Sequence, residues 1–186
     1  MNQTKESSKF GKFNVLNITQ DQRNSQYLFD ETSYVCILPF DRTKDGGIKS
    51  LYLLKFPNQS TGQTAHSLII DEINPDTDRT TYDSVGRSLI EEAGVNLDDH
   101  GLNENHIFFL GEITLSSPIS AQMHCYAIDL SHLENQPEFT RTLSKDHFIK
   151  DHSSIERVGF HQIVNGDFSD ATVLAGSFLL ISYFNQ

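Results

Sequence analysis

Apolar positions along this chain follow two periods, and the change of period marks where the element type should change. Residues 13–20 (FNVLNITQ), 34–40 (YVCILPF), 50–56 (SLYLLKF), 67–71 (SLIID), 106–115 (HIFFLGEITL), 123–130 (MHCYAIDL) and 156–163 (ERVGFHQI) are rich in β-branched and aromatic residues and read as strands. Asp45, Gly46 and Gly47 lie between the second and third of these runs, and glycines free to take positive φ predict a hairpin there. Two other segments repeat at about 100° per residue. In residues 81–93, Tyr82, Val85, Leu89 and Ala93 form one stripe while Ser88, Glu91 and Glu92 share an adjoining one. Asp78, Thr80 and Thr81 are available to cap the start of that helix, and Gly94 stands where a left-handed residue ends it. Residues 169–183 are almost wholly apolar after Asp170, which predicts a helix buried against the sheet. Strands first, one helix in mid-chain and one at the end predict an α/β fold, a central mixed sheet with helices on its faces.

Residues 1–12 are polar and are expected to form an arm ordered only by a neighbour. Residues 13–186 are expected to form one domain, because a chain of 186 residues suffices for one core of ordinary size and not for two. A net charge of −11 repels phosphate backbones and anionic headgroups, so neither nucleic acid nor membrane is an expected partner. Cys36 and Cys125 both sit inside apolar runs and read as reduced core residues, which excludes a disulfide framework. The amino end lacks the apolar stretch of a signal peptide, and the longest late apolar run is broken by Ser177 and Ser182. The expected location is therefore the cytoplasm or another reducing intracellular space, a macromolecular particle included. Phe13, Val15, Leu16, Ile18, Tyr27, Leu28 and Phe29 crowd apolar surface into residues 13–30, which is expected to be covered in a homodimer or larger assembly.

The segment Arg87-Ser-Leu-Ile-Glu-Glu-Ala-Gly-Val95 resembles the second half of the Nudix box, G-x5-E-x7-R-E-U-x-E-E-x-G-U. Arg87, Leu89, Glu91, Glu92, Gly94 and Val95 fit in register, and Ser88 replaces the glutamate that follows the arginine. The first half lacks both its glycine and its glutamate. Ungapped counting puts Ile73 and Arg79 at those positions, and an overlay of residues 71–77 with two inserted residues lacks both as well. The order of strands around the box is similar to that of ADP-ribose pyrophosphatases. Ser117 and Pro118 match the Ser-Pro loop near bound ADP-ribose, and Asp170, Ala171 and Thr172 match the start of the closing helix. The resemblance spans about residues 13–185.

The resemblance implies a Nudix-type α/β/α sandwich. It also implies metal ligands at Glu91 and Glu92, a positioning role for Arg87, substrate contacts at Ser117 and Pro118, and Mg²⁺ or Mn²⁺ as cofactor if the chain is active. Asp151 is the candidate general base by position, with Asp146 and Glu156 in the same acidic stretch. The implied ligand is an ADP-ribose-like nucleotide. Two carboxylates can hold one octahedral magnesium beside substrate phosphates, but a neutral serine at position 88 removes the anchor for a second ion. The expected function is therefore that of a degenerate, non-catalytic or weakly active Nudix-fold protein acting as a binding or assembly module. The alternative is a metal-dependent hydrolase of ADP-ribose or a related nucleoside diphosphate, with Asp76, Asp78 or Asp83 supplying the lost ligand. On the wheel, Ser88→Glu rebuilds a three-acid stripe and is expected to raise turnover. The ordinary role for acids before a helix is capping. His66, His124, His147, His152 and His161 have no metal-ligand spacing.

Overall fold

The strand runs pair into two sheets in the computed structural model of the chain, which describes residues 3–8, 11–20, 23–30, 33–57, 62–115, 121–131, 133, 154–168 and 170–185. Strands β1 (Gln3–Ser8), β2 (Gly11–Gln20) and β3 (Arg23–Asp30) form a small antiparallel sheet in that order. The polar residues of the expected arm thus include a strand laid on β2 of the same chain.

The larger sheet runs β10-β5-β4-β9-β8, from β4 (Ser33–Arg42), β5 (Ile48–Pro57), β8 (Ile107–Leu115), β9 (Ala121–Asp129) and β10 (Ser154–Gly159). It is mixed, as expected, because β4 and β9 are parallel while the other neighbours are antiparallel. Gly46, at φ 90°, turns the chain from β4 to β5, and Thr43 N donates to Gly47 O at 2.7 Å. The run at residues 67–71 is divided between two strands. β6 (Thr64–Ser67) pairs with β5 and β7 (Ile69–Glu72) with β4, with the fully buried Leu68 between them.

Alternation along β4 sends Val35 and Ile37 to one face and Cys36, Leu38 and Phe40 to the other, and a separate apolar cluster forms on each. Val85, Leu89 and Ala93 cover the first face; Val173 and Leu180 cover the second. Cys36 and Cys125 are register neighbours across β4 and β9, both buried and free. Among the described residues no helix is long and apolar enough to cross a membrane.

Three sequence expectations need correction. Residues 156–163 do not continue as one strand. β10 stops at Gly159, whose N–H donates to Gln162 Oε1 at 3.0 Å, and helix α2 (Phe160–Val164) follows. The closing helix α3 (Ala171–Phe184), capped by Asp170, packs on the sheet but is not buried all round. Gly176 lets it approach closely, since a Cβ there would lie 2.7 Å from Leu68 Cδ1. Leu174 and Phe178, 42% and 67% exposed, remain on the solvent side. The third correction concerns the box helix itself.

Candidate functional site

Helix α1 (Thr81–Ser88) starts at Thr80 through a reciprocal cap. Asp83 N donates to Thr80 Oγ1 at 3.2 Å and Thr80 N donates to Asp83 Oδ2 at 2.9 Å. Past Ser88 the helix widens into a π turn over Leu89–Ala93, closed by Gly94 at φ 68°. A π turn has i→i+5 spacing, so a wheel drawn for an α-helix misplaces its later residues. Ser88, Glu91 and Glu92 consequently do not form one accessible stripe. Ser88 is fully buried, whereas the Glu91 side chain is 50% exposed. Ser88 Oγ lies 2.9 Å from Asp71 Oδ2 and 2.7 Å from Ser84 O, so its one hydroxyl hydrogen is shared between acceptors on the protein side of the helix.

Arg87 joins the helix to the strand and loop before it. Its Nη1 donates to Asp71 Oδ2 at 2.6 Å and to Glu91 Oε2 at 3.3 Å. Its Nη2 donates to Glu72 O at 2.7 Å and Asp78 Oδ2 at 2.9 Å, and its Nε donates to Asp78 Oδ1 at 3.1 Å. All three guanidinium nitrogens are engaged, two of them on both oxygens of Asp78 in a fork. The Asp78 side chain is only 3% exposed and also accepts from Ser84 Oγ at 2.8 Å and Asn74 N at 2.9 Å. Asp78 is thus Arg87's partner rather than the helix cap. Asp83 is occupied in capping, and Asp76 stays exposed beside Asn74.

The Arg87 hydrogen bonds hold the Asp78 carboxyl far below the usual carboxylate range against the opposing effect of burial, and the same contacts push the guanidinium up. A carboxyl with a depressed folded-state pKa contributes stability above its unfolded value of about 3.9 and loses it as pH falls below that value. The melting temperature is therefore expected to fall on acidification from about pH 5 downward. Asp78→Asn should be less stable at neutral pH and show a shallower acid slope in thermal melts from pH 3 to 7. An unchanged slope would remove Asp78 from the account.

Register carries the same face across the sheet from Asp71 to Val35, His124 and Glu112. His124 Nδ1 lies 3.2 Å from Glu112 Oε1, and Gln122 Nε2 donates to Glu112 Oε2 at 2.6 Å. At the start of the helix, Tyr126 OH donates to Thr81 Oγ1 at 2.6 Å. A second polar network ties β4, β5 and β10 together. Its buried carboxylate oxygen, Asp41 Oδ2, accepts from Ser50 Oγ and Tyr52 OH, each at 2.9 Å, and from Arg157 Nη2 at 2.6 Å.

Glu156 is brought to the opposite face. It pairs in register with Leu53 of the second cluster, 2.8 Å from His66 Nε2 and 3.0 Å from Lys55 Nζ, and those two partners lower its pKa. Ser117, Pro118, Asp146, His147, Asp151 and His152 lie outside the described residues. His161 is exposed on α2. The partners of Arg87 are what sequence reasoning missed. Asp71 closes an apolar strand run and Asp78 sits at a capping position, so neither spacing identified them.

The resemblance implies a divalent metal at Glu91 and Glu92. The donor set does not fit an ion held by three carboxylates, because Ser88 is buried in hydrogen bonds and Glu91 is tied to Arg87. Among the described residues no group of three or more His, Cys, Asp or Glu side chains gathers as metal ligands. The arrangement in hand is a cross-linked helix face with Glu91 exposed at its edge.

No protein-family model matches the chain, and no curated protein matches it. Solved structures do. An ADP compounds hydrolase superposes with a TM-score of 0.64 at 16% identity, covering 100% of this chain and 95% of its own. The NUDIX domain of Shewanella oneidensis NrtR, complexed with ADP ribose, gives 0.51 at 13% identity over 79% of this chain and 84% of that one. A structure from work on MutT of Aliivibrio salmonicida and Vibrio cholerae gives 0.52 at 13% identity, over 81% and 98%. At identities this low only architecture is carried across, a central mixed sheet with helices on its faces: the chain has a Nudix-type fold.

Proposed function

We propose that this chain is a degenerate Nudix-fold protein that keeps the scaffold, lacks efficient hydrolysis and acts as a binding or assembly module, as a homodimer or as a subunit of a larger particle. In this reading residues 13–186 are its single Nudix-like domain and residues 1–12 a polar arm. The observation that carries this reading is the state of position 88. The serine is neutral and buried, with its hydroxyl spent on Asp71 and Ser84, so the face carries two box acids where an active box presents three. The ligand class is an ADP-ribose-like nucleotide, supported by the hydrolase and the ADP ribose complex among the similar structures. Ser117 and Pro118 are the proposed contacts. A metal-dependent hydrolase remains the second reading, favoured by retention of Glu91 and Glu92 and by the likeness over the whole chain to an ADP compounds hydrolase. In that reading Arg87 positions the two glutamates, Asp151 is the base, and Mg²⁺ or Mn²⁺ is required.

Purified protein with excess Mg²⁺ or Mn²⁺ is expected to hydrolyse ADP-ribose slowly or not at all, measured by release of AMP. Brisk turnover abolished by Glu92→Gln selects the hydrolase. Light scattering across a concentration series tests self-association, and a monomer at every concentration counts against the homodimer.

A further inference from the structure

An open cavity of about 450 Å³ lies where the hairpin between β4 and β5 meets the end of α3. Asp45, Ile48, Phe160, Ile181, Phe184 and Asn185 line it, together with the two hairpin glycines. Ile48, Phe160 and Phe184 pack against the second apolar cluster, so the cavity belongs to the sheet face opposite the box helix. Its volume falls in the range that small-molecule ligands fill.

Three features of the lining share one sign. Asp45 is exposed, and hydrogen bonds from the Thr43 side chain and from its own main chain hold its carboxyl below the usual carboxylate range. It is therefore ionised at neutral pH. Helix α3 ends at the cavity, with Ile181 and Phe184 in its last turn, Asn185 as its cap and no basic side chain in that turn. The carbonyls left over at such an end carry about half a negative charge. Phe160 and Phe184 add aromatic rings, whose faces are negative as well. Phe184 already takes a cation on its ring, since the Arg42 guanidinium carbon stands 4.0 Å from the ring centroid. Phe40 and Phe108 hold the same ring, each at 5.4 Å between centroids. Arg42 is itself paired with Asp129 at 2.7 Å, and neither it nor the exposed Lys44 and Lys49 line the cavity.

We propose that this cavity binds a small organic ammonium cation with an apolar body, its charge held by Asp45 and the carbonyl end of α3 and its body by Phe160 and Phe184. A single carboxylate is too little for a divalent metal, which takes several oxygen ligands and keeps its water. Bulky ammonium ions are what aromatic walls recognise. The Phe184 ring is fixed by its neighbours before any ligand arrives, so little ordering opposes binding. The site lies across the sheet from Ser88 and does not rest on the reading of that position.

The test is amide NMR of the full chain titrated with benzyltrimethylammonium, and separately with phenylacetate as an anion carrying a comparable ring, at matched ionic strength. The ammonium is expected to shift the amides of Gly46, Gly47, Ile48 and Asn185 saturably, with Kd on the order of 1 mM, while phenylacetate leaves them in place. Asp45→Asn removes the charge from an exposed turn, and Phe160→Leu keeps apolar bulk but loses the ring face. Each should weaken binding about threefold. Should Phe160→Leu fail to fold, Asp45→Asn, at an exposed position, carries the test by itself. No saturable shift up to about 20 mM ammonium, equal shifts with phenylacetate, or a folded variant that binds as tightly as wild type overturns the proposal.

Discussion

Arg87→Ala is expected to destabilise the protein by about 3 kcal/mol, the lower end of the cost of breaking a buried ion pair. The low end applies because the Arg87 side chain is 24% exposed, so water relieves part of the loss. Asp78 decides the size of the effect. With only 3% of its side chain exposed, it keeps its Ser84 and Asn74 donors but loses the guanidinium bonded to both its oxygens. An uncompensated carboxylate at that depth costs more than the hydrogen bonds it formed. In a chain of this length the loss corresponds to a melting temperature lowered by roughly 6–12 °C. Urea titration read by circular dichroism measures it, and a change below about 1 kcal/mol would reduce the network to an ordinary surface ion pair.

Ser88→Glu is expected to fail as a repair. The helical wheel argues for it, since a glutamate at 88 would join Glu91 and Glu92 on one stripe and is the better helix former. The structure reverses the expectation. Ser88 is fully buried, and its hydroxyl approaches a carboxylate and a main-chain carbonyl, both acceptors. An ionised glutamate there would bring a second negative charge against Asp71 and offer no donor to Ser84 O. The variant should be less stable by about 3 kcal/mol and no faster on ADP-ribose with Mg²⁺ than wild type. A stable Ser88→Glu protein that turns over ADP-ribose measurably faster would sink this account of position 88 and revive the three-acid stripe.

The fold class was legible in the sequence because it depends on local period and turn chemistry. Val35, Ile37, Leu51 and Leu53 lie in strands as their pattern requires, and Gly46 takes the positive φ that the hairpin needs. Thr80 and Gly94 bound the box helix for reasons that act within a few residues. The break at Gly159 was not legible, since Val158 and Phe160 are equally apolar and only the Gln162 side chain folding back on Gly159 N separates strand from helix.

What tertiary structure alone decided is the chemical state of the face around Arg87. Arg87, Glu91 and Glu92 could be placed by spacing, but the partners of Arg87 come from 15 to 16 residues earlier for Glu72 and Asp71 and 9 for Asp78. No periodicity encodes those separations. They arise because β7 pairs with β4 and brings Asp71 beneath the helix, while the loop before α1 returns Asp78 to the guanidinium. The π turn is similarly invisible to a helical wheel, which assumes one rotation per residue throughout. Residue identity determined which charges the face holds; packing determined that Ser88 turns inward, that Glu91 turns outward and that Arg87 spends its donors on the protein itself. The physical reason is range: propensity and capping act along the chain, whereas burial and ion pairing depend on which distant segments the sheet brings together.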